Sequence, residues 1–255
     1  MRSILEESFA GDDLDRGVWL PHHLPHWSSR AASSATYAVR DRELHLTIPP
    51  DQGLWCEDLH PDPLRVSCIQ SASWSGPIGS SRGPQPFRDG LVVRTEEPPF
   101  WGYIPREGHV EIQMRGTIGP RSMFAFYLSG IEDEPDHSGE LCVAEIFGDA
   151  VVDGSAAIGM GVKAKQDPKL RQDFEAPRLP IDVAEFHTYA VDWRPGWAAF
   201  SVDGRPIRSI DQAPDYRLQL MIGVFNFPAR ASSPDDPLVP ELVVSQVRGR
   251  PIEDA

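Results

Sequence analysis

The chain has 255 residues, with 38 acidic and 24 basic side chains and a formal net charge of −14. This negative field opposes binding to nucleic acid and to anionic membrane surfaces and disfavours polyanionic substrates, whereas neutral ligands meet no such barrier. The length suffices for one large core, so we expect a single domain over residues 1–255. The 25 prolines and 21 glycines favour an all-β fold with many turns.

The N-terminal part of the chain carries no targeting signal and no clear metal motif. No apolar run reaches the length of a signal-peptide core there, or of a membrane span anywhere, so the sequence as it stands predicts a cytoplasmic protein, or an extracellular one if a leader has been removed. His22, His23 and His26 lie close together, but Pro21 and Pro25 forbid a helix that would align them. We favour an ordered loop over a metal site and expect no metal and no cofactor.

Short strands separated by turns and loops are predicted in the first half of the chain. A hairpin is expected around Arg40-Asp41, and Val110, Ile112 and Met114 alternate with polar residues as in a strand with one buried face. The predicted strands are 36–40, 43–48, 65–71, 91–95, 109–115 and 122–129, and the predicted loops are 49–63, 75–90 and 131–138.

The stretch from Gly139 to Gly148 combines apolar residues with two carboxylates and is predicted to be a strand. Glu140 and Cys142 then point to one face, whereas Glu145, at an odd spacing, points to the other. One inserted residue, a β-bulge, would turn Glu145 back to the face of Glu140. Paired carboxylates about 5 Å apart are what retaining glycoside hydrolysis requires.

The second half of the chain continues the pattern of short strands and tight turns. A hairpin is expected around Arg194-Pro195-Gly196, and Asp203-Gly204 predicts a further turn. Cys56, Cys68 and Cys142 lack the spacing of a zinc site or disulfide framework, although a Cys56–Cys68 bridge in an oxidising compartment stays open. The predicted strands are 156–164, 186–193, 197–202, 218–227 and 242–248, with a polar loop at 165–180; together these elements predict a two-sheet sandwich.

Three segments resemble glycoside hydrolase family 16, the laminarinases, lichenases and agarases with a concanavalin A-like jelly roll, and the resemblance covers residues from about 9 to 248. Residues 102–111 look like the family's G-Y-x-Y-G-x-F-E segment, and 139–145 look like its G-E-I-D-I-x-E signature in the version with the bulge. Residues 186–204 resemble its F-H-x-Y-x-x-x-W…V-D-G hairpin. The resemblance implies that Glu140 is the nucleophile and Glu145 the general acid/base.

Five positions depart from the family pattern. Cys142 stands where the family has an aspartate that orients the nucleophile, and a thiol is a weaker donor and normally neutral. Gln113 replaces an arginine of some relatives, Gly223 a frequent asparagine, and Lys163 lies near the place of a histidine. Ser245 replaces an aspartate that helps to hold calcium in relatives, so no calcium is expected.

Five aromatic residues could line a cleft, because flat rings stack on the C–H faces of sugars. They are Trp27, Trp101, Tyr103, Phe126 and Phe225, and we expect about half of them to contact ligand and the rest to be core. The resulting hypothesis is a monomeric retaining endo-glycoside hydrolase that acts on a neutral β-glucan, β-1,3 or mixed-linkage. A carbohydrate-binding protein of the same fold with impaired catalysis, motivated by Cys142, and a transglycosylase are the alternatives.

Overall fold

The computed structural model describes residues 3–230 and 238–252 and is built almost entirely of strands. Two short 3₁₀ segments, Pro25–Trp27 and Gly148–Ala150, interrupt them. The strands in chain order are β1 (Leu5–Glu7), β2 (Thr36–Arg40), β3 (Glu43–Thr47), β4 (Arg65–Gln70), β5 (Ala72–Ser73), β6 (Phe100–Trp101), β7 (Gly108–Thr117), β8 (Ser122–Gly130), β9 (Glu140–Phe147), β10 (Val151–Val152), β11 (Ser155–Ala157), β12 (Gly159–Lys163), β13 (Asp173–Glu175), β14 (Arg178–Leu179), β15 (His187–Arg194), β16 (Trp197–Val202), β17 (Arg205–Ile210), β18 (Leu218–Asn226) and β19 (Glu241–Arg250).

Two large antiparallel sheets form the sandwich. The first has the strand order β17-β16-β15-β7-β19-β3-β2, with β1 also paired to β19, and the second has the order β13-β12-β9-β8-β18-β4. Two small sheets, β10-β11-β14 and β5-β6, complete the described strands. The predicted all-β, two-sheet jelly roll is confirmed. Among the described residues, no helix is long and apolar enough to cross a membrane.

The main core lies between the two large sheets, and the alternation of each strand decides which residues enter it. On β7, Val110, Ile112 and Met114 are fully buried in this core. Their polar neighbours Glu111 and Gln113 face outward, as the period of two requires. This strand is therefore predictable from its residues alone.

The second sheet is covered on both faces. Its outer face carries a separate apolar cluster in which loop residues such as Trp27, Trp55 and Val93 pack against Met221 and Phe225 of β18. Because neither face meets solvent along most of its length, β18 has no polar alternation and reads as a continuous apolar run. The loops that cover this face also form the walls of the cleft described below.

Three predictions about local structure are corrected. Residues 91–95 form no strand; Val93 instead donates its N–H to Ser80 O in the loop cover, and Leu91 and Val93 are buried in the outer cluster. The single strand predicted at 156–164 is divided at Ile158 into β11 and β12, which join different sheets. The predicted loop 165–180 contains β13 and β14. The composition of a segment indicates whether its side chains are buried. Whether its backbone pairs as a strand depends on distant strands, which the composition does not reveal.

The predicted hairpin turns are confirmed, with left-handed backbone where the turn needs it. Asp41 and Arg42 have φ angles of 54° and 62° between β2 and β3, and Asp203 and Gly204 have φ angles of 50° and 70° between β16 and β17. Two consecutive residues with positive φ match the right-handed twist of the flanking strands.

Candidate active site

The two glutamates of β9 reach one face because the strand carries the predicted bulge. Opposite β9, Phe126 of β8 pairs with Ala144 and Tyr127 pairs with Cys142, so Val143 is the extra residue. Val143 and Ala144 both enter the main core, whereas Glu140, Cys142 and Glu145 line a cleft on the outer face of the second sheet. The bulge therefore converts an odd spacing into a shared surface.

The cleft has a volume of about 460 Å³, within the range of small-molecule sites. One wall is aromatic: the ring of Trp55 lies 4.9 Å from His23 and 5.1 Å from Phe87, and His23 lies 5.6 Å from Phe225. A second group of lining residues, called the polar wall, is polar or charged: Gln85, Glu132, Glu140, Glu145, Lys163 and Lys165. Flat rings facing polar groups suit a ligand with apolar faces and hydroxyl edges.

Each candidate catalytic glutamate is paired with a lysine. The Lys163 ammonium lies 2.6 Å from Glu145 Oε2, and the Lys165 ammonium lies 3.1 Å from Glu140 Oε1. Burial opposes the charge on Lys163, but the carboxylates of Glu145 and Glu140 hold its pKa above the ordinary value. Lys163 is therefore an ammonium throughout the neutral range, and this cation lies in direct contact with Glu145.

Cys142 lies between the two glutamates as a protonated thiol. Its side chain is buried, and burial raises its pKa well above the ordinary value. A neutral thiol contributes no charge to the site and only a weak hydrogen bond. All three cysteines, Cys56, Cys68 and Cys142, are free and buried.

The loop that carries Lys165 is fixed to the start of β9. The Tyr216 hydroxyl accepts a 2.7 Å hydrogen bond from Gly139 N–H and donates a 2.7 Å bond to Asp167 Oδ2. Ser138 Oγ accepts a 2.9 Å bond from Gln166 N–H. Three side chains thus tie residues 164–170 to the residues immediately before Glu140, and this holds Lys165 at the cleft.

A third carboxyl group, Glu132, also lines the cleft. Its side chain is only 8% exposed, and its Oε1 accepts a 2.6 Å hydrogen bond from Gln85 N–H. Burial raises the pKa of Glu132 to about 7, a rise that the nearby charge of Glu140 reinforces. Glu132 therefore changes its charge within the neutral range.

Several nitrogen atoms on cleft-lining residues lack a partner. Among the described residues, His23 Nδ1, Trp55 Nε1 and Gln85 Nε2 are buried without a hydrogen bond. Burial lowers the pKa of His23 to about 3, so its imidazole is neutral. Because buried polar groups are normally satisfied, these atoms fit a cleft whose ligand or bound water completes their hydrogen bonds.

Of the aromatic residues predicted to bind substrate, only Phe225 lines the cleft. Phe126 is fully buried in the main core, because its neighbours Ala125 and Tyr127 take the cleft face of β8. This corrects the prediction for Phe126, and Tyr127 is the cleft residue of that pair.

The other predicted binding residues lie away from the cleft, which corrects the expectation for each. Trp27 is fully buried behind it and donates its indole N–H to Pro84 O at 2.8 Å. Tyr103 is buried in the main core, and Trp101 lies on β6, paired with Ala72. Gln113 is on the outer side of the first sheet, where its Oε1 accepts a 2.7 Å bond from the Ser245 hydroxyl.

The predicted loops 49–63, 75–90 and 165–180 supply cleft side chains that the sequence analysis did not identify as site residues. Trp55, His60, Gln85, Phe87 and Lys165 come from these loops. None of them belongs to a motif, and only their position in loops that flank predicted strands could have indicated them. The histidine group 22–26 holds no metal arrangement: no cluster of metal-binding side chains occurs among residues 3–230 and 238–252.

Solved structures share this fold at low sequence identity. The GlcNAcα1-4Gal-releasing endo-β-galactosidase from Clostridium perfringens is 22% identical with a TM-score of 0.80, and the match covers 96% of this chain but only 61% of that one. A laminarinase catalytic domain from Thermotoga petrophila RKU-1 is 12% identical with a TM-score of 0.66, covering 97% and 96% of the two chains. The apo Crh5 transglycosylase is 14% identical with a TM-score of 0.58, covering 100% and 86%.

The sequence comparisons decide the family. A search of curated protein sequences gives no match. Residues 105–232, half of the chain, match the sequence model of the glycosyl hydrolases family 16. The matched range contains the bulged strand with Glu140 and Glu145 and the hairpin of β15 and β16. The protein therefore belongs to glycosyl hydrolase family 16.

Proposed function

We propose that this protein is a retaining endo-glycoside hydrolase with Glu140 as nucleophile and Glu145 as general acid/base. The observation that carries the proposal is the bulge at Val143, which brings both carboxylates to one cleft. Family membership supports glycosidase chemistry in general, and two carboxyl groups on one surface are the machinery of that chemistry.

The proposed reaction has two steps. In the first, the Glu140 carboxylate attacks the anomeric carbon, the glycosidic C–O bond breaks, and a proton from Glu145 passes to the leaving oxygen. In the second, Glu145 takes a proton from water, whose oxygen attacks the anomeric carbon and releases Glu140. The Lys165 ammonium, 3.1 Å from Glu140 Oε1, places a positive charge beside the proposed nucleophile.

A neutral β-linked glycan is the proposed substrate class. The protein carries a net charge of −14, and the cleft contains three carboxyl groups and two ammonium groups. A polyanionic chain therefore finds no net electrostatic attraction in the cleft. The aromatic wall offers stacking faces for sugar rings. A β-glucan is our first candidate, and the likeness to an endo-β-galactosidase makes a β-galactoside-containing glycan the second.

One observation favours a second function, a carbohydrate-binding protein with impaired catalysis. A general acid must deliver a proton, yet Glu145 lies 2.6 Å from the ammonium of Lys163, whose pKa the neighbouring carboxylates hold above its ordinary value. Cys142, as a neutral thiol, does not replace the charge of the family aspartate. Under this alternative the cleft binds a glycan and releases it unchanged.

Reducing-end assays over a panel of β-1,3-glucan, mixed-linkage glucan and β-galactan substrates decide between the two functions. Under the first, Glu140→Gln and Glu145→Gln each lower kcat/KM by about a thousandfold or more, while Glu134→Gln, on an exposed loop carboxylate, leaves it unchanged. If both cleft variants keep full activity, the assignment is wrong. Binding without any product from wild type supports the second function.

The stereochemistry of the product tests the retaining mechanism directly. Proton NMR of the first product formed should show the anomeric configuration of the substrate, because two displacements restore it. An inverted product would contradict a Glu140-linked intermediate. Sizing of products formed with a labelled sugar acceptor separates hydrolysis from transglycosylation, since only the latter incorporates the label.

A further inference from the structure

Two residues that the catalytic proposal does not use stand together on the polar wall of the cleft. Gln85 comes from the long connection before β6, and Glu132 from the loop between β8 and β9. The 2.6 Å bond from Gln85 N–H to Glu132 Oε1 joins the two loops. Their side chains are therefore held at one place although 47 residues separate them.

Both residues keep backbone conformations that non-glycine residues rarely adopt. The φ angle is 54° at Gln85 and 49° at Glu132. Left-handed backbone at such residues is unfavourable and persists where the surroundings fix it, often at ligand sites. Both strained residues take part in the hydrogen bond between the two loops, so the strain is located where these loops meet.

Each of these side chains has unused hydrogen-bonding capacity. Gln85 Nε2 is buried without a partner, and Glu132 Oε2, unlike Oε1, forms no hydrogen bond or ion pair with the rest of the described chain. Glu132 is 8% exposed, and both Glu132 and Gln85 line the cleft. Each side chain thus keeps an unpartnered hydrogen-bonding atom, close to Glu140 and Lys165, whose charges act on Glu132.

We propose that Glu132 and Gln85 together bind two neighbouring hydroxyl groups of one sugar and so determine sugar specificity near Glu140. One hydroxyl of the bound sugar donates to Glu132 Oε2, and a neighbouring hydroxyl accepts from Gln85 Nε2. A buried site built for a hydroxyl discriminates strongly against a sugar that lacks it, because its polar groups then lose their partners. The inference rests on the proposed function in that the ligand is a glycan.

The test measures binding, so that it does not depend on turnover. Calorimetric titrations use β-1,3-linked tetrasaccharides of glucose and of galactose, and then monodeoxy analogues of the tighter binder, in a Glu140→Gln background. We expect Glu132→Gln to weaken binding of the parent sugar about 10- to 100-fold, with Gln85→Met weakening it in the same direction. Glu134→Gln, in the same loop but with a 76% exposed carboxylate, is the matched control and should bind as the background does.

The deoxy analogues distinguish the loss of a specific hydroxyl contact from a general disturbance of the cleft by the substitution. At least one analogue should bind the background protein about tenfold more weakly than the parent sugar, and the same deletion should cost the Glu132→Gln variant less than about threefold. Equal losses with every analogue, unchanged binding of the parent sugar, or no binding of either tetrasaccharide overturns the inference. Binding with this pattern but without hydrolysis by wild type contradicts the catalytic proposal alone.

Discussion

The pH dependence of folding stability offers a quantitative test of the buried carboxyl group in the cleft. Glu132 is 8% exposed, and burial raises its pKa from an ordinary value of 4.5 to about 7. The fold therefore prefers the protonated form of Glu132. The stabilisation relative to the ionised form is fully present below pH about 4.5 and is lost as the pH rises through about 7.

The magnitude follows from the size of the shift. A difference of one pKa unit corresponds to about 1.4 kcal/mol, so the complete effect is about 3 kcal/mol. Between pH 5 and pH 8 the linkage relation gives about 2.5 kcal/mol of lost stability. Glu132→Gln keeps an oxygen for the Gln85 N–H and cannot ionise, so the variant lacks this dependence.

Chemical denaturation followed by tryptophan fluorescence measures the effect. From pH 5 to pH 8, the free energy of unfolding of wild type should fall by about 2.5 kcal/mol more than that of Glu132→Gln. Titrating groups that do not interact with Glu132 cancel in this comparison, and Glu134→Gln, exposed in the same loop, should follow wild type. Parallel pH dependences for wild type and Glu132→Gln would refute the reasoning.

Three further changes test the cleft. Lys163→Met removes the cation 2.6 Å from Glu145, so kcat/KM should fall about tenfold because Glu145 loses the partner that fixes its orientation; an unchanged kcat/KM contradicts a role for the pair. Phe225→Ala should raise the Kd for an oligosaccharide about fivefold through lost ring stacking, which calorimetric titration measures; an unchanged Kd would show that Phe225 does not contribute to binding. Deleting Val143 reduces the spacing of Glu140 and Glu145 from five to four, so a regular strand should keep both carboxylates on the cleft face, and the free energy of unfolding should fall by only about 1–3 kcal/mol through the lost core side chain; a deletion variant that fails to fold because Glu145 enters the core would disprove the bulge.

The strand β9, which carries Glu140 and Glu145, shows how much can be predicted from neighbouring residues alone. Glycines bound an apolar run with Glu140 and Glu145 at an odd spacing, and the period of two then requires one extra residue if both are to share a face. The structure places that residue at Val143. Hairpin turns and the one-sided strand β7 were predictable for the same reason, because their signals lie within about ten consecutive residues.

The aromatic residues show where such reasoning fails. Phe126 and Phe225 both lie on apolar strands of the second sheet, yet Phe126 enters the main core and Phe225 lines the cleft. Because both faces of this sheet are covered, hydrophobicity does not distinguish them. The lysine partners of the glutamates escaped prediction as well, since Lys165 is held at Glu140 by contacts among residues far apart in sequence.

The sequence by itself predicted the sandwich of antiparallel strands, because strand periodicity and turn chemistry act over short distances. The resemblance of three of its segments implied the family and the bulge that joins Glu140 to Glu145. Only the tertiary structure decided which loops wall the cleft, that each glutamate is paired with a lysine, and that Glu132 meets Gln85. These features depend on segments that are distant in the chain and adjacent in space, and no local pattern encodes such a contact.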